Sequence, residues 1–363
     1  MILVLLLALG FAAAGQTVST ADLFRDAARA LQAGNLETAE RGFRQVLQRE
    51  PDNIGALGNL GVLYSRAGRP AQAVEVYLRA LKLAPRQPGL LLNLSLAYLK
   101  LDNYPRAKDT AAELLAVQPS DQASEILAIA RLQTGETAAA VAGLSRLAEA
   151  PRPSPAVLHF LALGYVKLGR RADAQPVIER LFELLPAARA HYLEGRIWYD
   201  AALFDQALAS FSKATAADPQ LAGLALELGK THISLRNAPQ ARQALEQALA
   251  ENPADLEAQY FLGALLVQDA DPAAGLPLLE RVLAARPDLW GTHYYLGKAK
   301  LALGRPADAI PHLETAVRLS PNEAPVHYQY ARALQAAGRA ADAKRAFARV
   351  ASLRAAPEPL VMK

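Results

Sequence analysis

IGALGNLGVLYSRAGRPAQAVEVYLRALKLAPRQ, residues 54–87, is the stretch that decides the fold. Leu57, Leu60, Gly61 and Tyr64 stand three and four residues apart, the spacing of one helical face. Gly68 then breaks the pattern. Pro70 follows, at a helix start where a missing N–H costs little. Ala73, Tyr77 and Ala80 make a second stripe, and Pro85 closes it. The spacing predicts two antiparallel helices joined by a tight turn.

Working outward, the closing proline recurs. Pro51, Pro85, Pro119, Pro153, Pro186, Pro219, Pro253, Pro287 and Pro321 are 34 residues apart, except for intervals of 33 on either side of Pro186. A period of this length marks a stack of supersecondary units, each too small to bury its own apolar face. Small residues such as Gly61, Ala73 and Ala80 let helices approach, and Leu60, Tyr64 and Tyr77 fill the space beside them.

Leu60-Gly61, Tyr64, Gly68, Ala73, Tyr77, Ala80 and Pro85 resemble the tetratricopeptide repeat signature. The pattern returns in Leu296-Gly297, Gly304, Ala309, Leu313, Ala316 and Pro321. It returns again in Gly195, Trp198, Ala207, Phe211, Ala214 and Pro219. Gly34, Ala39, Phe43 and Pro51 open the series; Gly338, Ala343, Phe347 and Pro357 end it. The resemblance implies an all-α, right-handed superhelical solenoid over residues 16–357. Its ten expected units are 20–53, 54–87, 88–121, 122–154, 155–187, 188–221, 222–255, 256–289, 290–323 and 324–357, with a tail at 358–363.

Some positions depart from the signature. Steps of 34 place Ile129 where Gly61 stands and Val141 where Ala73 stands, so 122–154 reads as the weakest unit. Gly275 replaces the repeat's Ala after an Asp269-Ala270-Asp271-Pro272 turn. Pro176, Pro277 and Pro311 read as first-turn prolines of second helices, where N–H groups lack intrahelical partners. The shortened spacings lead us to expect a change of curvature or a flexible joint near 122–188; uniformly high hydrogen-exchange protection there would exclude it. The last helix, about Ala340 to Arg354, carries Lys344, Arg345, Arg349 and Arg354, and is expected to cap itself or dock a partner.

Composition narrows the function. The 363 residues are 52% hydrophobic and 20% charged, which argues against disorder. The net charge of +4 lacks the like-charge blocks of a nucleic-acid arm. The absence of Cys excludes disulfides, thiolate metal sites and a thiol nucleophile. Residues 2–14, ILVLLLALGFAAA, have the short apolar run and the small residues Ala12 and Ala14 of a secretory leader, although no Lys or Arg precedes them. Residues 1–15 are therefore expected to direct export to the periplasm or outside, or to anchor or dock the N-terminus.

The histidines are His159, His191, His232, His293, His312 and His327, and no pair has HExxH spacing. His191, His293 and His327 share one repeat position and are expected to serve packing. There is no G-x-S-x-G elbow, phosphate loop or dinucleotide fingerprint. An enzyme is not expected, nor a cofactor, metal, small-molecule substrate or nucleic-acid partner.

The resemblance implies that the first helix of each repeat lines a concave groove for an extended peptide. On those helices Tyr192, Tyr260, Tyr294 and Tyr328 hold equivalent positions. Four residues further on stand Arg196, Ala264, Lys298 and Arg332; Leu226 and Lys230 continue the ladder between the first two. Such a face suits an acidic extended polypeptide, or an anionic glycan. A second ladder, Arg25, Asn59 and Asn93, is similar to the clamp by which some relatives hold a C-terminal carboxylate, but Ala123 and Leu127 interrupt it. The expected function is a protein-interaction scaffold for an envelope or secretion complex. A scaffold subunit of polysaccharide-synthesis or glycosyltransferase machinery, and a cytoplasmic adaptor, are the alternatives.

Overall fold

The computed structural model describes residues 18–355; the leader at 2–14, Pro357 and the tail at 358–363 lie outside them. Twenty α-helices and no strand occur among the described residues. The contacts form two compact units that divide between Val177 and Ile178. The first holds α1 (Thr20–Gln32), α2 (Leu36–Arg49), α3 (Ile54–Arg66), α4 (Pro70–Leu83) and α5 (Pro88–Lys100). It continues with α6 (Tyr104–Val117), α7 (Asp121–Gln133), α8 (Thr137–Ala148) and α9 (Pro155–Lys167). The division falls inside α10 (Arg171–Leu184). The second unit holds α11 (Ala187–Asp200), α12 (Phe204–Ala217), α13 (Leu224–Ser234), α14 (Ala238–Glu251) and α15 (Leu256–Gln268). It continues with α16 (Pro272–Ala285), α17 (Trp290–Ala302), α18 (Pro306–Leu319), α19 (Ala324–Ala336) and α20 (Ala340–Ala355).

Within each unit, helices pack on their neighbours in sequence, and odd-numbered helices also touch one another. Among the described residues, α2 to α8 and α12 to α20 show no such contact between even-numbered helices. A stack closed up along one set of helices and spread along the other is curved. In each unit the odd helices therefore form the inner wall and the even ones the outer.

The turns obey one rule. Gly34, Gly68, Gly135, Gly169, Gly304 and Gly338 each follow the first helix of a pair with φ between 70° and 86°, the left-handed conformation that lets the chain reverse. At Gly68 the reversal is sealed by the Arg69 N–H, which donates to the Tyr64 carbonyl at 2.8 Å. Asp102, Ala202, Arg236 and Ala270 take the same conformation at the equivalent place without being glycine.

Close approach explains the signature glycines. A Cβ on Gly61 would lie 2.3 Å from the Tyr77 ring, and one on Gly195 would lie 2.5 Å from Phe211. The same separation in sequence pairs Gly229 with Leu245, Gly263 with Leu279 and Gly297 with Leu313. In each case the large side chain of the second helix occupies the space that the glycine of the first leaves open.

Two expectations need correction. Ile129 is not the counterpart of Gly61. The connection after α6 has three residues, Gln118 to Ser120, against four after α4, so the register slips by one. Ala128, seven residues before the turn glycine Gly135 as Gly61 is before Gly68, takes the place. Ala140 likewise replaces Val141 as the small residue, and both Ala140 and Leu144 are buried. The unit at 122–154 is thus packed like the others. Second, Pro176, Pro277 and Pro311 lie beyond the first turn, each the sixth residue of its helix. All three are exposed, and so are Ala172, Ala273 and Ala307, whose carbonyls lose a partner; water can satisfy them there.

Candidate functional site

The inner wall of the second unit holds the aromatic and cationic ladder, but its members are not alike. Tyr192 is buried at 7% exposure, whereas Tyr328 is 39% exposed; Tyr260 and Tyr294 lie between. Tyr192 packs with Phe211, Leu221 and Leu224, because the long connection from Asp218 to Gly223 folds over it. Tyr260 is half covered by the start of α17, where Gly291 leaves room for its hydroxyl. Burial, and then the neighbouring Tyr295 and Tyr294, push its pKa up to about 12, so it remains a neutral donor.

The sequence reading missed three aromatic partners. Edge-to-face contacts run from Trp290 to Tyr294 (6.3 Å), Tyr294 to Tyr295 (5.0 Å), Tyr295 to Tyr260 (6.1 Å) and Tyr260 to Phe261 (5.4 Å). Trp290 is 38% exposed at one end of this run. The i, i+1 pairs Tyr260-Phe261 and Tyr294-Tyr295 were the available signal, since both partners hold equivalent places one repeat apart.

The cations also divide. Lys230 is nearly enclosed: its ammonium lies 3.3 Å from Glu227 and 2.9 Å from Glu257, and over the rings of Tyr199 and Phe261. Arg196 approaches the same Glu227 at 4.0 Å. Burial raises the Glu227 carboxyl above the usual range, although Lys230 and Arg196 pull against it. Burial opposes the Lys230 charge, but Glu227 and Glu257 outweigh it and hold the ammonium protonated. Lys298 and Arg332 differ from these. Neither has a carboxylate within 4.0 Å among the described residues; Arg332 reaches only the side-chain oxygen of Gln329, at 3.4 Å. Burial lowers the Lys298 pKa, and the positive charge of Arg332 lowers it further.

In the first unit Arg25 is paired with Asp22 on its own helix. Asn59 donates to the Gly55 carbonyl at 2.9 Å, and Asn93 is half-buried. The shared histidine position has a polar task. Nε2 of His293 lies 2.9 Å from the Pro287 carbonyl, and Nε2 of His327 lies 2.9 Å from that of Pro321. A carbonyl only accepts, so Nε2 carries the proton in each ring. The equivalent Gln259 donates to the Pro253 carbonyl at 2.7 Å. These side chains tie each inner helix to the connection before it. His191 instead pairs with Glu194 at 3.1 Å. Among the described residues no group of His, Asp or Glu has the arrangement of a metal site, and no helix is long and apolar enough to cross a membrane.

Comparison with known families fits this architecture. One tetratricopeptide repeat model matches residues 30–82, 66–128, 200–265 and 300–359, which is more than half of the chain. A second matches 161–222 and 265–324. The chain belongs to the tetratricopeptide repeat family. Among individual relatives, the repeats resemble Protein CTR9 homolog of Arabidopsis thaliana, 28% identical over 44% of this chain and 15% of that protein. Cellulose synthase operon protein C of Pseudomonas fluorescens is 25% identical over 43% of this chain and 13% of its own length. Tetratricopeptide repeat protein 1 of Schizosaccharomyces pombe is 25% identical over 66% of this chain and 24% of its own. The chain thus spans a quarter or less of these relatives. Among solved structures, a MamA from AMB-1 is 28% identical, covering 46% of this chain and 98% of that one with a TM-score of 0.42. A MamA from Desulfovibrio magneticus RS-1 is 21% identical, covering 48% and 98% with a TM-score of 0.44.

Proposed function

We propose that this tetratricopeptide repeat protein is a non-catalytic scaffold of ten repeats, and that it is exported. In this reading it holds an extended segment of a partner protein along the inner wall of its second unit, in the assembly of an envelope or secretion complex. The observation that carries the reading is the wall at α17 and α19. There, the half-buried Tyr294 and the exposed Tyr328 stand one turn before Lys298 and Arg332, two cations with no carboxylate within 4.0 Å among the described residues. Repeats array such groups at a fixed period, which suits a chain lying across several helices. Function resides in these side chains rather than in the fold. The match to cellulose synthase operon protein C favours a second reading, in which the partner belongs to polysaccharide-synthesis machinery. A cytoplasmic adaptor is a third, and the N-terminal residue of the mature chain separates it from the exported forms.

The test is affinity capture. The tagged chain is expressed in its native host, crosslinked and purified, and its companions are identified by mass spectrometry beside a Lys298→Glu/Arg332→Glu variant. A specific protein companion that the variant loses supports both the scaffold and the wall. A companion retained by the variant places the contact elsewhere on the repeats. Recovery of no companion overturns the scaffold reading.

A further inference from the structure

The repeat supplies its own control for the two free cations. Lys230 is neutralised from two positions: Glu227, three residues before it, and Glu257, 27 residues after it. Arg196 draws on a third, Glu227, 31 residues after it. Applied to Lys298, the same three offsets fall on Tyr295, Pro325 and Gln329. Asp200, four residues after Arg196, also favours its charge, and that offset from Lys298 falls on Ala302; each of these places around Lys298 is therefore held by a residue without a carboxylate. The substitution at Gln329 is the most telling, because a glutamine keeps the shape of Glu227's side chain and drops its charge. Its side-chain oxygen still faces Arg332 at 3.4 Å.

Lys298 is partly buried, with a second positive charge beside it. Withdrawing a cation from water next to another is unfavourable unless a counter-charge arrives. At Lys230 the protein provides that counter-charge internally. At Lys298 and Arg332 no carboxylate does so among the described residues, and one helical turn before them stand Tyr294 and the exposed ring of Tyr328.

We infer that Lys298 and Arg332, with Gln329 against Arg332, form a receptor for a side-chain carboxylate of an extended acidic peptide laid across α17 and α19. In the Arg196–Glu227–Lys230–Glu257 cluster the cations already face carboxylates, and it takes no part in reading charge. The inference rests on the scaffold reading and narrows it: of four cations on the ladder, two read the partner. A peptide fits better than a glycan because each cation follows a tyrosine by one helical turn, Tyr294 before Lys298 and Tyr328 before Arg332, which suits an acidic residue beside an apolar one.

The decisive variant is Gln329→Glu. It retains both cations, alters the side chain by one atom, and returns the carboxylate that the equivalent position holds at Glu227. Binding of a fluorescein-labelled peptide of alternating Glu and Ala is measured by anisotropy on the full chain, with the Gln–Ala peptide as neutral control. The natural chain is expected to prefer the Glu peptide by about tenfold or more, and less so as salt rises. Gln329→Glu should abolish that preference, and Lys298→Gln/Arg332→Gln should match it. Glu257→Gln, which acts on the closed cluster, should leave α17 and α19 as they are. If circular dichroism shows Gln329→Glu misfolded, the double Gln variant carries the test. Equal binding of the two peptides to the natural chain overturns the inference, as does unchanged preference in the folded variants. Tighter binding of oligogalacturonate than of the Glu peptide assigns the site to an acidic glycan and overturns the peptide. If the captured partner still binds Gln329→Glu, the scaffold stands and this receptor falls.

Discussion

At the scale of single residues, backbone conformation is conserved around the turns even where the residue type is not. Ala202 sits at φ 58°, in the place that glycine holds at Gly34, Gly68 and Gly135. A side chain there costs about 1–2 kcal/mol, partly offset by the greater freedom glycine has when unfolded. Ala202 is exposed and no packing is lost by removing its methyl group. Ala202→Gly is expected to raise stability by about 0.5–1 kcal/mol, visible as a higher melting temperature in a thermal scan. A lower melting temperature would show that the turn is held by something other than backbone strain. His312 gives a pH prediction. Burial first, then the charges of Lys300 and His293, press its pKa down to about 4, with Asp308 opposing. A depressed histidine is bound as the neutral form, so its contribution is intact above the unfolded value near 6.5 and is lost as pH falls from there towards 4. Because the ring is only half-buried, the loss is on the order of 1 kcal/mol after allowance for solvent. Melting temperatures measured from pH 7 to pH 4 should fall less steeply in His312→Gln than in the natural chain.

At the scale of helices, the unit of specification is a pair: a glycine on the inner helix and a large side chain on the outer one. A Cβ on Gly297 would meet the Leu313 Cγ at 2.4 Å, too close unless the Leu313 side chain or its helix shifts. Gly297→Ala is expected to cost about 1–3 kcal/mol by overpacking, and Leu313→Ala about 2–5 kcal/mol by leaving a cavity. In the double variant the new methyl occupies part of that cavity, so the two costs should fall short of their sum by about 1 kcal/mol or more. Additive costs in urea denaturation would separate the two residues and remove the pairing argument. These pairs were legible in the sequence because glycine and a large residue recur at one period. The turns were legible wherever the residue was glycine, and Asp102, Ala202, Arg236 and Ala270 were not, because a left-handed backbone leaves no mark on a non-glycine side chain. The slip at Gln118 to Ser120 was hidden for a similar reason: a deletion in a connection shifts the register without changing the helices, and an adjacent Ala128 and Ile129 read alike. On the inner wall the ladder of tyrosines and cations could be read, but its division could not. Glu227 looks like a surface acid until the structure buries it, and the charges of Arg196 and Lys230 then turn inward. The one local sign was the three-residue spacing of Glu227 and Lys230. The 27-residue step to Glu257 links different helices and has meaning only once those helices are stacked.

At the scale of the whole chain, every helix contact described within a unit reaches no further than the second neighbour in sequence. Stability in such an array is a sum of repeat terms and nearest-neighbour interfaces rather than the property of one core. A local defect should therefore spread along its own unit and fade. Gly297→Ala disturbs the packing of α17 on α18 at Leu313, and those helices hold α16 and α19 through the next interfaces. Native-state hydrogen exchange should show protection falling most in α17 and α18, less in α15, α16, α19 and α20, and not at all in α3 to α8 of the first unit. Uniform loss of protection across both units would mean that the chain opens as one cooperative body. The nearest-neighbour picture would then fail, and the stability changes assigned above to single repeats would have to be reassigned to the whole. Protection lost in α17 and α18 alone, without the gradient, would instead mean that each pair stands by itself and that the interfaces contribute little. The graded pattern is expected because the buried side chains on either side of each pair belong to the adjacent pairs: Ala309 and Leu313 of α18 share one cluster with Ala331, Leu334 and Ala343 of α19 and α20. A partner laid across α17 and α19 would bridge consecutive repeats, and its binding should restore protection in the same graded order.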